Sequence, residues 1–186
     1  MTVRPIRTIG DPILRSVAEP VRSFDEDLRA LVADLFETMR DVEGVGLAAP
    51  QIGVGLQIFV YEVEGASGVF VNPTLELGDE EQEGGEGCLS VPGLGYETPR
   101  RRTAVVRGQD EHGREHEVEA EGLLARCFQH EHDHLQGILY VHRLVGQTRR
   151  EAWRSLRSED YTRTVAEVRG ERAGSLSSGR GSSFGG

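Results

Sequence analysis

The sequence predicts an α+β fold in which antiparallel or mixed β-strands pack around a central helix, with one helix N-terminal and another C-terminal to them. Two patterns carry this prediction. Apolar residues recur at three- and four-residue spacing in separate helical windows. Between those windows lie short extended segments punctuated by Gly, Pro, Asn and Asp, which is the punctuation of hairpins rather than of βαβ crossovers. Short strands with segregated helices define the α+β class, and 186 residues suffice for one domain.

The first helix is expected from about Asp25 to Arg40. Phe24, Leu28, Leu31, Val32, Leu35 and Met39 form one apolar stripe, Ser23 and Glu26 fit a capping box, and Gly44 ends the pattern. Extended segments follow at Gln57 to Val63, where Ile58 and Val60 alternate with Phe59 and Tyr61, and then at Gly68 to Asn72, Thr103 to Arg107 and, more weakly, His116 to Ala120. The second helix runs from about Gly122 to Gln136 and stops at Gly137, a natural residue for the left-handed position after a helix. A third is expected from Gln147 to about Val168. Its apolar positions Trp153, Leu156, Val165 and Val168 are sparse, as on a surface helix. Residues 1–168 are expected to form the one folded domain and 169–186 a Gly/Ser-rich disordered tail, since the last 14 residues hold five Gly and five Ser.

Composition narrows the function. The chain is 37% hydrophobic and 28% charged, with a formal net charge of −10, which argues against a protein that grips nucleic acid over its whole surface, and no DNA partner is expected. The charge is uneven: residues 147–186 carry eight Arg against five acids. All 21 basic residues are arginine, which reads as a coding bias rather than a functional device. No apolar stretch is long enough to span a membrane, and the first residues lack the apolar core of a secretory signal, so the cytoplasm is the expected compartment. Two cysteines, Cys88 and Cys127, then read as reduced thiols or metal ligands rather than a disulfide framework.

The sharpest chemical signal is H-E-x-x-H, present as His130-Glu131-x-x-His134 in the second helix. Residues four apart share a helix face, so both imidazoles can close on one divalent ion, while Glu131 sits one step round, where a carboxylate can take a proton from water. A solvated His-rich face is the bland alternative. Cys127 is a poor third ligand: it lies roughly 10.5 Å along the helix axis from His134 at 1.5 Å per residue, and it reads better as a small core residue or pocket wall. Cys88, in Glu86-Gly87-Cys88-Leu89-Ser90, lies in a glycine-rich stretch that permits close backbone approach. On its own it reads better as an inert buried thiol. His132 points to another face. A small-residue run, Gly44-Val45-Gly46-Leu47-Ala48-Ala49-Pro50-Gln51, ends in an amide that can donate to an oxyanion, although such runs also serve tight packing.

Together the three segments resemble the peptide deformylase family, which carries G-φ-G-φ-A-A-x-Q, E-G-C-L-S and Q-H-E-x-D-H-L motifs in this order. Gly44 to Gln51, Glu86 to Ser90 and Gln129 to Leu135 match every fixed position. Gly10 to Arg15 and Ala18 to Val21 are also similar to that family's opening segment, and the resemblance extends to about residue 165. It implies Cys88, His130 and His134 as metal ligands, Glu131 as general acid/base, and the Gln51 side chain and Leu89 backbone N–H as oxyanion donors. Val45, Gly46, Leu123 and Cys127 would line the substrate pocket. The implied reaction is removal of the formyl group from N-formylmethionyl nascent peptides by metal-activated water. The implied ion is Fe(II), with Zn, Ni or Co able to occupy the site, and a transient ribosome contact is implied as well. Arg149, Arg150, Arg154 and Arg157 could make that contact with ribosomal RNA, though a solvated helix face explains them equally. Asp133 is a candidate partner for Arg100. One departure stands out. Some relatives carry an arginine seven residues after the ligand cysteine, and here that position is Gly95, which leaves open how residues after methionine are held. The competing functions are a zincin-type protease, which takes its third ligand downstream of H-E-x-x-H, and a non-enzymatic metal-binding module, which would need neither Glu131 nor Gln51.

Overall fold

The computed structural model of the chain describes residues 2–178. Its centre is a five-stranded antiparallel sheet made from β1 (Gly46–Ala48), β2 (Ile58–Val63), β3 (Ala66–Leu77), β8 (Thr103–Gln109) and β9 (Glu115–Glu121), in the order β1-β2-β3-β8-β9. Two-stranded pairs lie beside it: β4 (Glu81–Gln82) with β7 (Arg100–Arg101), and β5 (Gly85–Cys88) with β6 (Val91–Glu97). The α+β expectation holds, and the pairings within all three sheets are antiparallel. Helix α1 (Glu26–Asp41) covers one face of the large sheet and α2 (Gly122–Leu135) the other.

Side-chain alternation explains the layering, because successive residues of a strand point to opposite faces. Ile58 and Val60 of β2, with Val69 and Val71 of β3, pack under Leu28, Val32, Leu35 and Met39 of α1. Phe59, Tyr61 and Phe70 face the other way, towards Phe128 of α2. Phe128 stands edge-on to Tyr61 and Phe70, with ring centroids at 4.9 and 5.6 Å, and tilted to Phe59 at 6.0 Å. The β2–β3 hairpin closes through Glu64 and Gly65, both at positive φ, the geometry that matches strand twist in a two-residue turn. Asn72 marks the bulge in β3 and clasps the N-terminal arm, accepting from Val21 N at 2.8 Å and donating to Val21 O at 2.9 Å.

Several expected boundaries change. The first helix is capped by Asp25, whose Oδ1 accepts from Leu28 N at 3.1 Å, rather than by a Ser23–Glu26 box, because Asp25 is the residue directly before the first helical one. Strands β1, β4, β5, β6 and β7 were not legible as strands, being short or broken by glycine. The single C-terminal helix is two, α3 (Gly146–Leu156) and α4 (Glu159–Ser178). The break falls at Ser158, whose Oγ accepts from Tyr161 N at 3.1 Å and so caps the second segment, with Glu159 and Asp160 favourably placed in its first turn. The tail expected from residue 169 is corrected over 169–178, which continues α4. Arg169 there donates to Thr8 Oγ1 at 2.6 Å and Arg172 to Leu89 O at 3.1 Å, and these contacts hold the segment against the body. The rest of the expected tail, 179–186, lies outside the described residues. A third core, with Leu14, Val91, Leu139, Tyr140 and Leu144, anchors α3 and α4 through Ala152 and Tyr161.

Phe128 is fully buried and joins α2 to the sheet. Phe128→Ala is expected to cost about 3–5 kcal/mol, read as a lower midpoint in denaturant unfolding.

Candidate active site and metal centre

Helix α2 presents distinct faces to its surroundings. It ends in a paired-bond cap: Gly137 N donates to His134 O at 3.2 Å and Ile138 N to Asp133 O at 2.9 Å, with Gly137 at φ +69°. A side chain at 137 would meet the Arg15 backbone at 2.6 Å, so glycine is required twice over. Gln129 meets β7 as an extra rung would, its Oε1 accepting from Arg101 N at 2.9 Å and its Nε2 donating to Arg101 O at 2.8 Å. His130, Glu131 and Cys127 look onto a cavity of about 600 Å³.

Among the described residues, Cys88, His130 and His134 bring one ligand atom each within 4.8 Å of one another. Cys88 ends β5 at a bulge, where the register shifts between Gly87 and Cys88, and such a shift re-aims a side chain. Its Sγ lies 3.3 Å from His134 Nε2. His130 Nδ1 is 2.9 Å from Glu86 Oε2. Burial pulls the Glu86 carboxyl up, but hydrogen bonds from His130 and Arg100 outweigh it and hold the carboxyl down at about 2. An ionised carboxylate only accepts, so Nδ1 donates in this contact and Nε2 is the ring atom turned to where a metal would be held. Burial also holds the His134 ring well below the usual histidine range, with His130 adding to the effect. One thiol and two imidazoles thus form a donor set suited to a divalent transition metal. Cys127 is outside this group; its Sγ faces Val45 O at 3.5 Å, and burial pushes its thiol up.

Glu131 is 3% exposed, and its Oε2 has no hydrogen-bond partner among the described residues. Burial pushes its carboxyl up to about 7, with His130 pulling the other way. Gly46 makes room for it: a Cβ at that position would lie 2.6 Å from Glu131 Oε1 and 2.9 Å from Cys127 Sγ. Gln51 sits on a short 3₁₀ turn after β1. Its Oε1 accepts from Ala48 N at 2.8 Å, which orients the amide so that Nε2 faces Ser90 Oγ at 3.3 Å and Cys88 Sγ at 3.9 Å. Gln51, Cys88, Leu89, His130 and Glu131 line the cavity, as do Val45, Gly46, Leu123 and Cys127. Val45 and Leu123, about half exposed, are apolar residues on its wall. His134 is 1% exposed and does not line the cavity.

Sequence reasoning missed the hub beneath the site. Glu86 accepts from Arg100 Nε at 2.7 Å and Nη2 at 3.0 Å, from Arg126 Nη1 at 2.9 Å, and faces His130. Arg100 Nη1 continues to Asp133 Oδ2 at 2.7 Å, as the sequence suggested, and Arg143 closes on Asp133 from the other side. The available signal was an acid between two glycines inside a chemical motif, with no task of its own in the chemistry. Removing one partner of such a buried cluster strands the other charges. Glu86→Gln is expected to lose about 3–5 kcal/mol in denaturant unfolding. It should also weaken metal retention roughly 10–100-fold in chelator competition, because His130 loses the partner that orients it.

Comparison with known proteins gives the family. Residues 3–150 match the family model described as polypeptide deformylase. The peptide deformylase of Acidothermus cellulolyticus is 52% identical over 169 residues, covering 91% of this chain and 94% of that protein. The peptide deformylase structure from Thermus thermophilus superposes with a TM-score of 0.81 at 43% identity, covering 91% of this chain and 99% of that one. The structure from Legionella pneumophila gives the same score and identity over 89% and 98%. A family match over most of the length, from relatives alike in sequence and in fold, means that the chain belongs to the polypeptide deformylase family.

Proposed function

We propose that Cys88, His130, His134, Glu131, Gln51 and Leu89 together carry out the deformylation that this family performs, removing the N-terminal formyl group from nascent polypeptides and releasing formate. The observation that carries the assignment is one cavity lined by Cys88 and His130 of the three-ligand group, by the buried Glu131, whose Oε2 has no partner among the described residues, and by the oriented amide of Gln51. Cys88 Sγ and the Nε2 atoms of His130 and His134 would hold the metal, with Fe(II) the proposed ion and Zn, Ni or Co able to replace it. When bound, the ion supplies Lewis acidity that makes water nucleophilic near neutral pH.

The protein groups do the rest. Glu131 takes a proton as the water oxygen bonds to the formyl carbon, and delivers it to the amine nitrogen as the C–N bond breaks. A carboxyl lifted towards neutrality by burial suits both transfers. Gln51 Nε2 and the Leu89 N–H donate to the oxygen that becomes anionic on the formyl carbon. Val45, Gly46, Leu123 and Cys127 supply the apolar wall for the methionine side chain. Residues 1–168 are read as the catalytic unit, with the remainder of α4 continuing from it.

The enzyme is read as cytoplasmic, where formylated chains emerge; no described helix is long and apolar enough to cross a membrane. A transient ribosome contact is proposed through α3, where Arg149, Arg150, Arg154 and Arg157 line one groove around Trp153.

Anaerobically purified protein, its metal identified by elemental analysis, should release formate from a formyl-methionyl tripeptide and leave the unformylated peptide intact. Internal cleavage without formate would instead favour the protease reading. Glu131→Ala should lower kcat by roughly 10²–10⁴-fold, the usual contribution of a general acid–base group, with metal content retained. Pelleting with ribosomes should fall as salt rises and vanish when the four arginines are changed to Glu; no association at low salt would end the contact.

A further inference from the structure

One wall of the cavity comes from α4, a helix that lies beyond the residues 3–150 matched by the family model and takes no part in the chemistry above. Its Val168 and Arg172 line the cavity. The spacing along α4 explains why. Tyr161 and Val165 pack into the third core. Thr164 lies against β6: a Cβ at Gly93, itself a lining residue, would be 3.2 Å from Thr164 Cγ2. Residues four apart share a helix face, so the face that seats Thr164 on β6 presents Val168 to the cavity one turn later. Arg169 fixes that turn by donating to Thr8 Oγ1 at 2.6 Å, and Arg172 fixes the next by donating to Leu89 O at 3.1 Å. Val168 itself is half-buried and offers only methyl groups.

Helix α2 belongs to the aromatic core and α4 to the third core, so the two helices form separate walls. The formyl group belongs beside Cys88, Gln51 and Glu131, and the methionine side chain beside Val45 and Leu123, on the α2 side. At about 600 Å³ the cavity has the size of sites that enclose drug-sized ligands, more than a formyl-methionyl unit fills. Successive side chains of an extended peptide point to opposite sides, so the one after the methionine turns away from α2. Val168, with Pro92 and Leu94 of β6, gives it apolar surface to cover.

We infer that Val168 is a specificity-determining residue of this deformylation: it packs against the side chain that follows the formyl-methionine and favours a branched aliphatic group there over a small one. The inference rests on the deformylase reading above. Its test is steady-state formate release from two formyl-methionyl tripeptides, one with Leu and one with Ala after the methionine, using the full metal-loaded chain. Both side chains are uncharged, so the charge of Arg172 does not enter the comparison. Wild type should have the lower KM for the Leu peptide. In Val168→Ala that KM should rise roughly four- to tenfold, the scale of one or two methyl groups taken from an apolar contact. Turnover should change little, and the Ala peptide should be handled as before. Val168→Ile should keep the preference and Val168→Asp should abolish it. An unchanged Leu-to-Ala ratio of kcat/KM in both Val168→Ala and Val168→Asp would overturn the inference. So would an equal fall in kcat for both peptides with KM unaltered, the signature of a helix that merely supports Leu89. Absence of formate from both peptides with wild type would instead overturn the deformylase reading itself, and the inference with it.

Discussion

Glu86 is a carboxylate buried away from water, and a lone charge in that position would cost several kcal/mol in desolvation. It is tolerated because three cationic or proton-bearing partners, Arg100, Arg126 and His130, converge on it with hydrogen-bond geometry. Those partners come from β7 and from α2, while Glu86 itself belongs to β5. The cluster therefore joins three segments distant in sequence. Two residues beyond Glu86 the same strand ends in Cys88, so anchoring the carboxylate to α2 also carries the thiol to His134. The interaction that stabilises the charge is the one that assembles the ligand set.

The large sheet supplies the rigidity this arrangement needs. Its central strands are buried on both faces, with aliphatic residues under α1 and aromatic ones under α2. Pressing α2 against that aromatic face brings it close to β1, and Gly46 is where the two nearly touch: Glu131 occupies the space a side chain would need. The glycine of β1 is thus a consequence of packing a buried carboxylate against backbone. Tight packing and site construction, opposed as explanations of that run in the sequence, are the same fact.

Periodic elements were legible and irregular ones were not. The stripe of α1, the alternation of β2 and the terminating Gly137 each rest on local spacing, and each appears within a residue or two of where it was expected. Strand β5, which carries Glu86 and Cys88, its partner β6, and β7, which carries Arg100, are short or glycine-bearing, and no alternation marks them. The C-terminal region misled because its composition is Gly- and Ser-rich, whereas Arg169 and Arg172 hold 169–178 to Thr8 and Leu89 by contacts that no local pattern reveals.

The sequence by itself determined the chemistry on offer. Two imidazoles four residues apart and a carboxylate between them are set by helix geometry alone, and the three motifs around them identify the family. It could not determine how His130 is oriented or what holds Cys88 against α2. Those depend on Glu86 and Arg100 reaching α2 from distant segments. Burial and ion pairing act between residues that only the folded chain makes neighbours, so these decisions belong to the tertiary structure.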